Sequence, residues 1–130
     1  MPNAGDSFVI ELSEAHLGWG EHRHTETRRR IQGEGYIPIP RQAATELGIF
    51  NNNAEDATTE YCCTSADGVL EDVLLLASGC TRAGDVYAKQ FQGSGDLQLL
   101  GFWYQTIHAQ VGDQIRVTFT GPNSLRVEKL

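Results

Sequence analysis

The chain has 130 residues, of which 40% are hydrophobic and 21% charged, and it contains 14 glycines. This length is typical of a single domain, and this composition excludes a disordered or fibrous chain. The longest apolar run, residues 73–77, has only the length of a strand, and the first residues lack the basic and apolar regions of a signal peptide. We therefore expect a cytoplasmic protein without membrane contact.

The formal net charge is −7, but the charges are unevenly distributed along the chain. Seven acids and no base lie between Glu46 and Asp72. In contrast, residues 22–33 hold four arginines and one acid, together with two histidines. Because a phosphate group responds to the local potential, the negative total does not exclude nucleic acid as a partner. The alternative for this arginine cluster is an ordinary solvated charged loop.

The first half of the chain predicts one strand, a long connection and a short helix. Residues 7–14 alternate apolar and polar side chains, which is typical of a half-buried strand. Residues 16–35 contain four glycines and no apolar period, so we interpret them as a long connection. Residues 36–40, YIPIP, are extended because of their prolines. The following segment 41–48 ends in glycine and predicts a short helix.

Two strand-like runs within residues 60–79 flank the turn signal at residues 66–68, which predicts a hairpin. After it, the alternation of Val86, Ala88 and Gln90 predicts a strand that ends in a Gly-Ser-Gly tip. The three cysteines form an odd-numbered set, which argues against a disulfide framework. Adjacent cysteines on a strand point to opposite faces, so we expect reduced, structural thiols at Cys62 and Cys63.

Asp96 is a suitable N-cap for a second helix, and Trp103 is expected in the core beside its apolar face. The residues of that face recur at spacings of three, four and three: Leu97, Leu100, Tyr104 and Ile107. Alternation on both sides of the turn at residues 121–124 predicts a C-terminal hairpin. Together these elements predict a mainly β (α+β) fold in a single domain spanning residues 1–130, a small barrel or sandwich of roughly seven short strands with two short helices.

Three segments stand in a distinctive order: YIPIPRQAATELG, then DVYAKQFQGSG, then LLGFWYQTIHAQVGDQIRVTF. In this order they resemble the B-three DNA-binding pseudobarrel. That domain is known from plant auxin-response-type transcription factors and from the effector domains of EcoRII-type restriction endonucleases. The resemblance extends over most of the chain. It implies a seven-stranded open pseudobarrel with two short helices.

The resemblance implies sequence-specific recognition of double-stranded DNA by two arms inserted in the major groove. The matching positions are residues 19–34, called the first arm here, and residues 82–94, called the second arm. Arginine and lysine can bind phosphate or guanine, and glutamine can pair with adenine. The residues implied to contact DNA are His22, Arg23, His24, Arg28, Arg29, Arg30 and Gln32, which precedes Gly33, in the first arm, and Arg82, Lys89, Gln90, Gln92 and Ser94 in the second.

The resemblance also implies a biological setting, the targeting part of a restriction system in a bacterial or phage-like cytoplasm. In that setting we expect no catalysis by this chain itself, and no cofactor or metal. A nuclease domain would belong to the same parent protein or to a partner.

Several alternatives remain open at the level of the sequence. The V-G-D motif at residues 111–113 also occurs in AbrB-like transcription regulators, and a small barrel of this kind can bind an anionic ligand or a peptide. A metal-dependent nuclease would use Asp85 with the acids of residues 71–72. The histidine pair within residues 22–24 lacks further zinc ligands nearby. Asparagines 51–53 form either a polar turn or contacts to sugar and phosphate.

Overall fold

The structure, a computed structural model, describes residues 2–13, 35–54, 59–80 and 84–130. The described residues form one seven-stranded sheet and two helices. The strands are β1 (Ser7–Glu11), β2 (Ile37–Pro38), β3 (Glu60–Ser65), β4 (Val73–Ser78), β5 (Gln90–Gly93), β6 (Gln114–Gly121) and β7 (Ser124–Lys129). The helices are α1 (Arg41–Leu47) and α2 (Leu99–Thr106).

The sheet has the strand order β1-β6-β7-β3-β4-β5-β2, in which only the β3–β7 pair is parallel. It curls into a nearly closed barrel, with an unsealed seam between the edge strands β1 and β2. Aromatic rings show this curvature directly. Phe91 of β5 lies 6.4 Å from Phe119 of β6 between ring centroids, and Tyr61 of β3 packs edge-on against both. Because β5 and β6 are not neighbours in the sheet, their rings meet only across the barrel interior. The predicted mainly β open pseudobarrel with two helices is confirmed.

The local predictions for β1 and α1 are confirmed with small differences in length. β1 buries Phe8 and Ile10 and exposes the residues between them, as its alternation predicts. In α1, Ala44 is buried, and Gly48 ends the helix with φ 71° and donates its N–H to the Ala44 carbonyl. A left-handed φ favours glycine because glycine has no Cβ.

The second helix begins later than the sequence predicts. The Asp96 carboxylate accepts the Gln98 N–H in a turn, and α2 starts at Leu99. The turn uses the residues that were predicted as the first helical turn, so the assignment of Asp96 as N-cap is wrong. Leu97 is only half-buried as a result, whereas Trp103 is fully buried, as predicted.

The β3–β4 hairpin is confirmed, but β4 begins at Val73 rather than near Val69. The carboxylate of Asp67 explains the difference. It accepts hydrogen bonds from Ser65 Oγ, the Val69 N–H and Trp103 Nε1, the last at 2.9 Å. These bonds hold the turn in a compact form and attach it to α2.

The two helices lie at opposite ends of β5. α1 follows β2, whose last residue, Pro38, pairs with Gln90 at the start of β5. α2 follows the other end of β5, and its Tyr104 hydroxyl donates to the Tyr36 carbonyl, just before β2. Cys62 and Cys63 lie on opposite faces of β3, as predicted, and only Cys63 is buried. Within the described ranges, neither helix has the length and apolarity needed to cross a bilayer.

Candidate nucleic-acid interface

The residues predicted to contact DNA divide into two groups. One group lies outside the described residues: His22, Arg23, His24, Arg28, Arg29, Arg30, Gln32 and Arg82. The other group is described and lies in or beside β5: Lys89, Gln90, Gln92 and Ser94. The site is therefore built here from β5 and the segments that hold it.

β5 lies between the two places where the arms join the sheet. On one side, Ile37 of β2 pairs with Phe91, and the chain reaches β2 directly from the first arm. On the other side, Ser78, the last residue of β4, pairs with Gln90, and the chain then leads toward the second arm. Within the described sheet, β5 is thus the strand that borders both connections.

The outward face of β5 carries the two glutamines. Phe91 and Gly93 are buried, whereas Gln90 and Gln92 are half-buried and lie on the other face of the strand. Gln90 Nε2 donates a hydrogen bond to Gln92 Oε1 at 3.3 Å. The two amides form one polar surface with remaining donors and acceptors, the chemistry that a base edge requires.

The approach to β5 differs from the predicted alternation of Val86, Ala88 and Gln90. The strand begins only at Gln90, and Tyr87 forms an isolated bridge with Phe50. Ala88 and Phe91 are both buried, an interval of three residues rather than two or four. The predicted strand is therefore wrong before Gln90, because pairing with the segment after α1 replaces a regular ladder there.

Lys89 and Ser94 have different electrostatic surroundings. Lys89 is exposed and forms no ion pair with another described residue. Its backbone N–H donates to the Ser78 carbonyl and its own carbonyl accepts the Ile39 N–H, so its backbone is held from both sides. Ser94 Oγ instead donates to Glu60 Oε2 at 2.7 Å. Lys89 is therefore suited to bind a phosphate, whereas the Ser94 hydroxyl already donates its hydrogen bond to the Glu60 carboxylate.

Asn51 is central to this region, and the DNA-contact prediction omits it. Its side chain is 4% exposed, and its Nδ2 donates to the carbonyls of Gly79 and Asp85, both at 2.8 Å, and of Tyr87 at 3.3 Å. Its Oδ1 accepts the Asn53 N–H at 2.8 Å. Of the two interpretations of asparagines 51–53, the structure supports the polar turn. No local pattern distinguishes Asn51 from its two identical neighbours.

A second set of contacts joins α1 to the same segment. Asp85 Oδ2 pairs with Arg41 Nη1 at 2.6 Å, and Asp85 Oδ1 accepts the Tyr87 N–H. The guanidinium of Arg41 also lies over the Tyr87 ring, which stacks on Phe50. The Asp85 side chain is nearly buried and the Arg41 side chain is half-exposed. Arg41 therefore adds a basic group beside the second arm that sequence reasoning did not find.

The acids of the nuclease alternative are not brought together. Glu71 and Asp72 precede β4, whereas Asp85 follows the other end of β4 and is paired with Arg41. Among the described residues, no group of three or more histidine, cysteine or acidic side chains could hold a metal ion.

A cleft of about 230 Å³ lies at the seam, between β1 and α1. Its lining residues are Ser7, Phe8, Pro40, Gln42, Ala43, Glu46 and Leu47. The lining contains one acid and no base, so this cleft does not suit the small anion of the ligand-binding alternative.

No protein-family model, no curated protein and no solved structure matches the chain. The site is therefore interpreted from its own residues, and the resemblance to B-three domains stays a prediction.

Proposed function

We propose that this protein recognises double-stranded DNA, with β5, which belongs to the second arm, facing the major groove and the first arm reaching the duplex beside it. The observation that carries the proposal is the position of β5. It is flanked by β2, which follows the first arm, and by β4, which precedes the second, and its outward residues are Gln90 and Gln92. The mainly β open pseudobarrel, expected from the resemblance, supports the same conclusion.

The spacing of the glutamines supports readout of bases. Outward residues on a strand recur every ~6.7 Å, close to two base steps of ~3.4 Å each. Gln90 and Gln92 are therefore spaced to meet base edges about two steps apart. A bidentate glutamine–adenine pair discriminates by about 1–3 kcal/mol against the wrong base. Two such contacts give a preference for A·T pairs at defined positions.

The distribution of lysines and arginines along the chain supports binding to phosphates despite the net charge of −7. Six of the ten lysines and arginines lie in the two arms: Arg23, Arg28, Arg29, Arg30, Arg82 and Lys89. Of the described basic residues, Arg41, Arg116 and Lys129 are paired with acids, whereas Lys89 and Arg126 form no ion pair with a described residue. Positive charge is thus concentrated along the sequence in the two arms that the proposal assigns to the duplex.

The proposal includes a biological role, the targeting part of a restriction system. In that role a nuclease domain of the same parent protein, or of a partner, cuts the DNA that this chain selects.

The first experiment is selection from a random duplex library, with the selected sequences titrated at two salt concentrations. We expect a short enriched motif and an affinity that falls steeply with salt, since each phosphate contact contributes about 0.9 to the slope of log K against log salt. A matched pair of variants distinguishes an arginine that is proposed to bind phosphate from one that is not. Arg29→Ala should reduce that slope by about 1, whereas Arg126→Ala should leave it unchanged, because Arg126 lies on β7, three strands from β5.

The glutamines need a separate comparison on the selected duplex. Gln90→Ala and Gln92→Ala should each relax the preference at one base position and leave the salt slope unchanged. If no duplex is enriched and the remaining binding disappears at moderate salt, the proposal is wrong. If the slope of log K against log salt is the same for Arg29→Ala and Arg126→Ala, the assignment of the first arm to the DNA interface is wrong.

A further inference from the structure

Asn51 connects three points of the backbone that are distant in sequence. Gly79 directly follows β4, while Asp85 and Tyr87 belong to the approach to β5. The carbonyls of all three accept hydrogen bonds from the single amide nitrogen of Asn51. This one side chain therefore holds the chain where it leaves β4 and again before it enters β5.

Asparagine is the side chain that these contacts require. The amide supplies two N–H donors, one of which is shared by two of the three carbonyls, and one oxygen for the Asn53 N–H. An aspartate has the same shape, but it has no donor and would put a negative charge against carbonyl oxygens. An alanine would remove the donor that the part-buried carbonyls of Gly79 and Tyr87 share, and losing these bonds is costly. The Asp85 carbonyl would keep its bond from Asn53 Nδ2.

The contacts continue from Asn51 to the proposed DNA-binding residues. The Asn51 N–H donates to the Val86 carbonyl, and the Ala88 N–H donates to the Ile49 carbonyl. One residue later, the Lys89 N–H donates to the Ser78 carbonyl. Gly79 fits closely against Lys89, because a Cβ on Gly79 would lie 3.2 Å from the Lys89 Cβ. A shift of the segment that Asn51 holds would therefore displace Lys89 and the start of β5.

We propose that Asn51 is a positioning residue for DNA recognition: its buried amide fixes the approach to β5 and so sets Lys89 and Gln90 in the orientation that binds the duplex. This inference rests on the proposed function. Asn51 itself touches no DNA in this arrangement, because its side chain is buried and its hydrogen-bonding atoms are used.

The run of three asparagines provides its own controls. Asn51→Ala removes all the side-chain bonds, and Asn51→Asp keeps only an acceptor. Asn53→Ala removes the bond from Asn53 Nδ2 to the Asp85 carbonyl. Asn52→Ala changes an exposed neighbour and is the matched control. The measurements on the full chain are amide hydrogen exchange, thermal unfolding, and titration of the selected duplex at two salt concentrations.

For Asn51→Ala and Asn51→Asp we expect at least tenfold faster exchange at the amides of Ala88 and Lys89, with the β6–β7 amides unchanged. Exchange at the Asn53 amide should rise only in Asn51→Ala, because aspartate keeps the oxygen that accepts this N–H. Duplex affinity of the folded protein should fall at least tenfold, and preference at the Gln90 position should relax. Asn52→Ala should match the wild type in all three measurements. The loss of base preference is the decisive observation, since a purely stabilising role would lower the melting temperature and leave the preference of the folded molecules intact.

The measurements distinguish a failure of the proposed function from a failure of the positioning role of Asn51. If the wild type binds no duplex, the proposed function is wrong, and the exchange data alone still decide whether Asn51 holds this segment. Unchanged exchange at Ala88 and Lys89 would overturn the structural part of the inference. Faster exchange with unchanged affinity and preference would overturn the positioning role. If Asn51→Ala does not fold, Asn51→Ser, which keeps one donor and one acceptor, should show the same changes to a smaller degree, and their absence would count against the inference.

Discussion

Gly93→Ala should destabilise the protein strongly, for a steric reason. Gly93 is the last residue of β5 and is buried. A Cβ at this position would lie 2.0 Å from the Asp96 carbonyl oxygen and 2.8 Å from the Leu99 Cβ. The φ of Gly93 is not in the left-handed region, so the substitution acts through lack of space and not through backbone strain.

The magnitude follows from what must move. Overpacking a well-packed interior costs about 1–3 kcal/mol, and the obstacle here is backbone and not a flexible side chain. Moving the Asp96 carbonyl also weakens its hydrogen bond from the Leu99 N–H, which contributes about 1 kcal/mol. We therefore expect a loss of about 3 kcal/mol in the free energy of unfolding. For a chain of this size that corresponds to a decrease of roughly 10 °C in melting temperature.

Gly95→Ala is the matched control, since Gly95 lies two residues away in the turn that follows β5. Gly95 has φ 76°, and a Cβ added to it would have no atom within 4 Å. Its substitution therefore costs only the strain of a left-handed alanine, about 1–2 kcal/mol. Urea unfolding of both variants, with equal m-values, gives the comparison. If Gly93→Ala is no less stable than Gly95→Ala, the close approach of the Asp96 carbonyl to β5 is wrong.

Two further predictions concern the polar turn and the thiols. Burial raises the pKa of Asp67, but the hydrogen bonds from Ser65, the Val69 N–H and Trp103 outweigh it and lower the pKa below its usual value of 3.8. Asp67 therefore contributes stability that is present above pH about 4 and is lost as the pH falls through its folded pKa. In urea titrations at several pH values, the free energy of unfolding should fall less on acidification in Asp67→Asn than in the wild type. An identical pH dependence in both proteins would refute this. Burial also raises the pKa of the Cys63 thiol to about 12, so Cys63 should resist alkylation by iodoacetamide until the protein unfolds. If Cys63 were modified as fast as the partly exposed Cys62, the position of Cys63 in the core would be wrong.

The parts of the fold that the sequence predicts well are those set by neighbouring residues. β1, α1 and the β6–β7 hairpin each carry a clear period or a glycine stop, and the structure confirms them. The start of α2 and the approach to β5 were predicted incorrectly. In both places a longer-range or turn interaction replaces the local pattern: the carboxylate of Asp96 forms a turn, and Tyr87 pairs with Phe50.

In the candidate site, too, the features set by neighbouring residues are predictable from the sequence, and those set by distant residues are not. The outward direction of Gln90 and Gln92 follows from alternation once Phe91 is recognised as the buried residue between them. The role of Asn51 does not follow from any local pattern, because the three carbonyls to which its Nδ2 donates are 28 to 36 residues away in sequence. Arg41 and Asp85 are likewise 44 residues apart, and their ion pair arises only when the start of α1 lies beside the approach to β5.

In the proposed function, the exposed acids of the protein help to orient the duplex. Glu71 and Asp72 are exposed in the β3–β4 turn, at the end of β4 away from Lys89. Such acids repel phosphates over about one Debye length, ~8 Å at physiological salt. In the proposed function, a duplex is therefore disfavoured on this part of the surface and favoured beside Lys89. In the proposed function, the negative total charge thus limits the ways in which DNA can approach, and the arginines of the arms determine the face that it reaches.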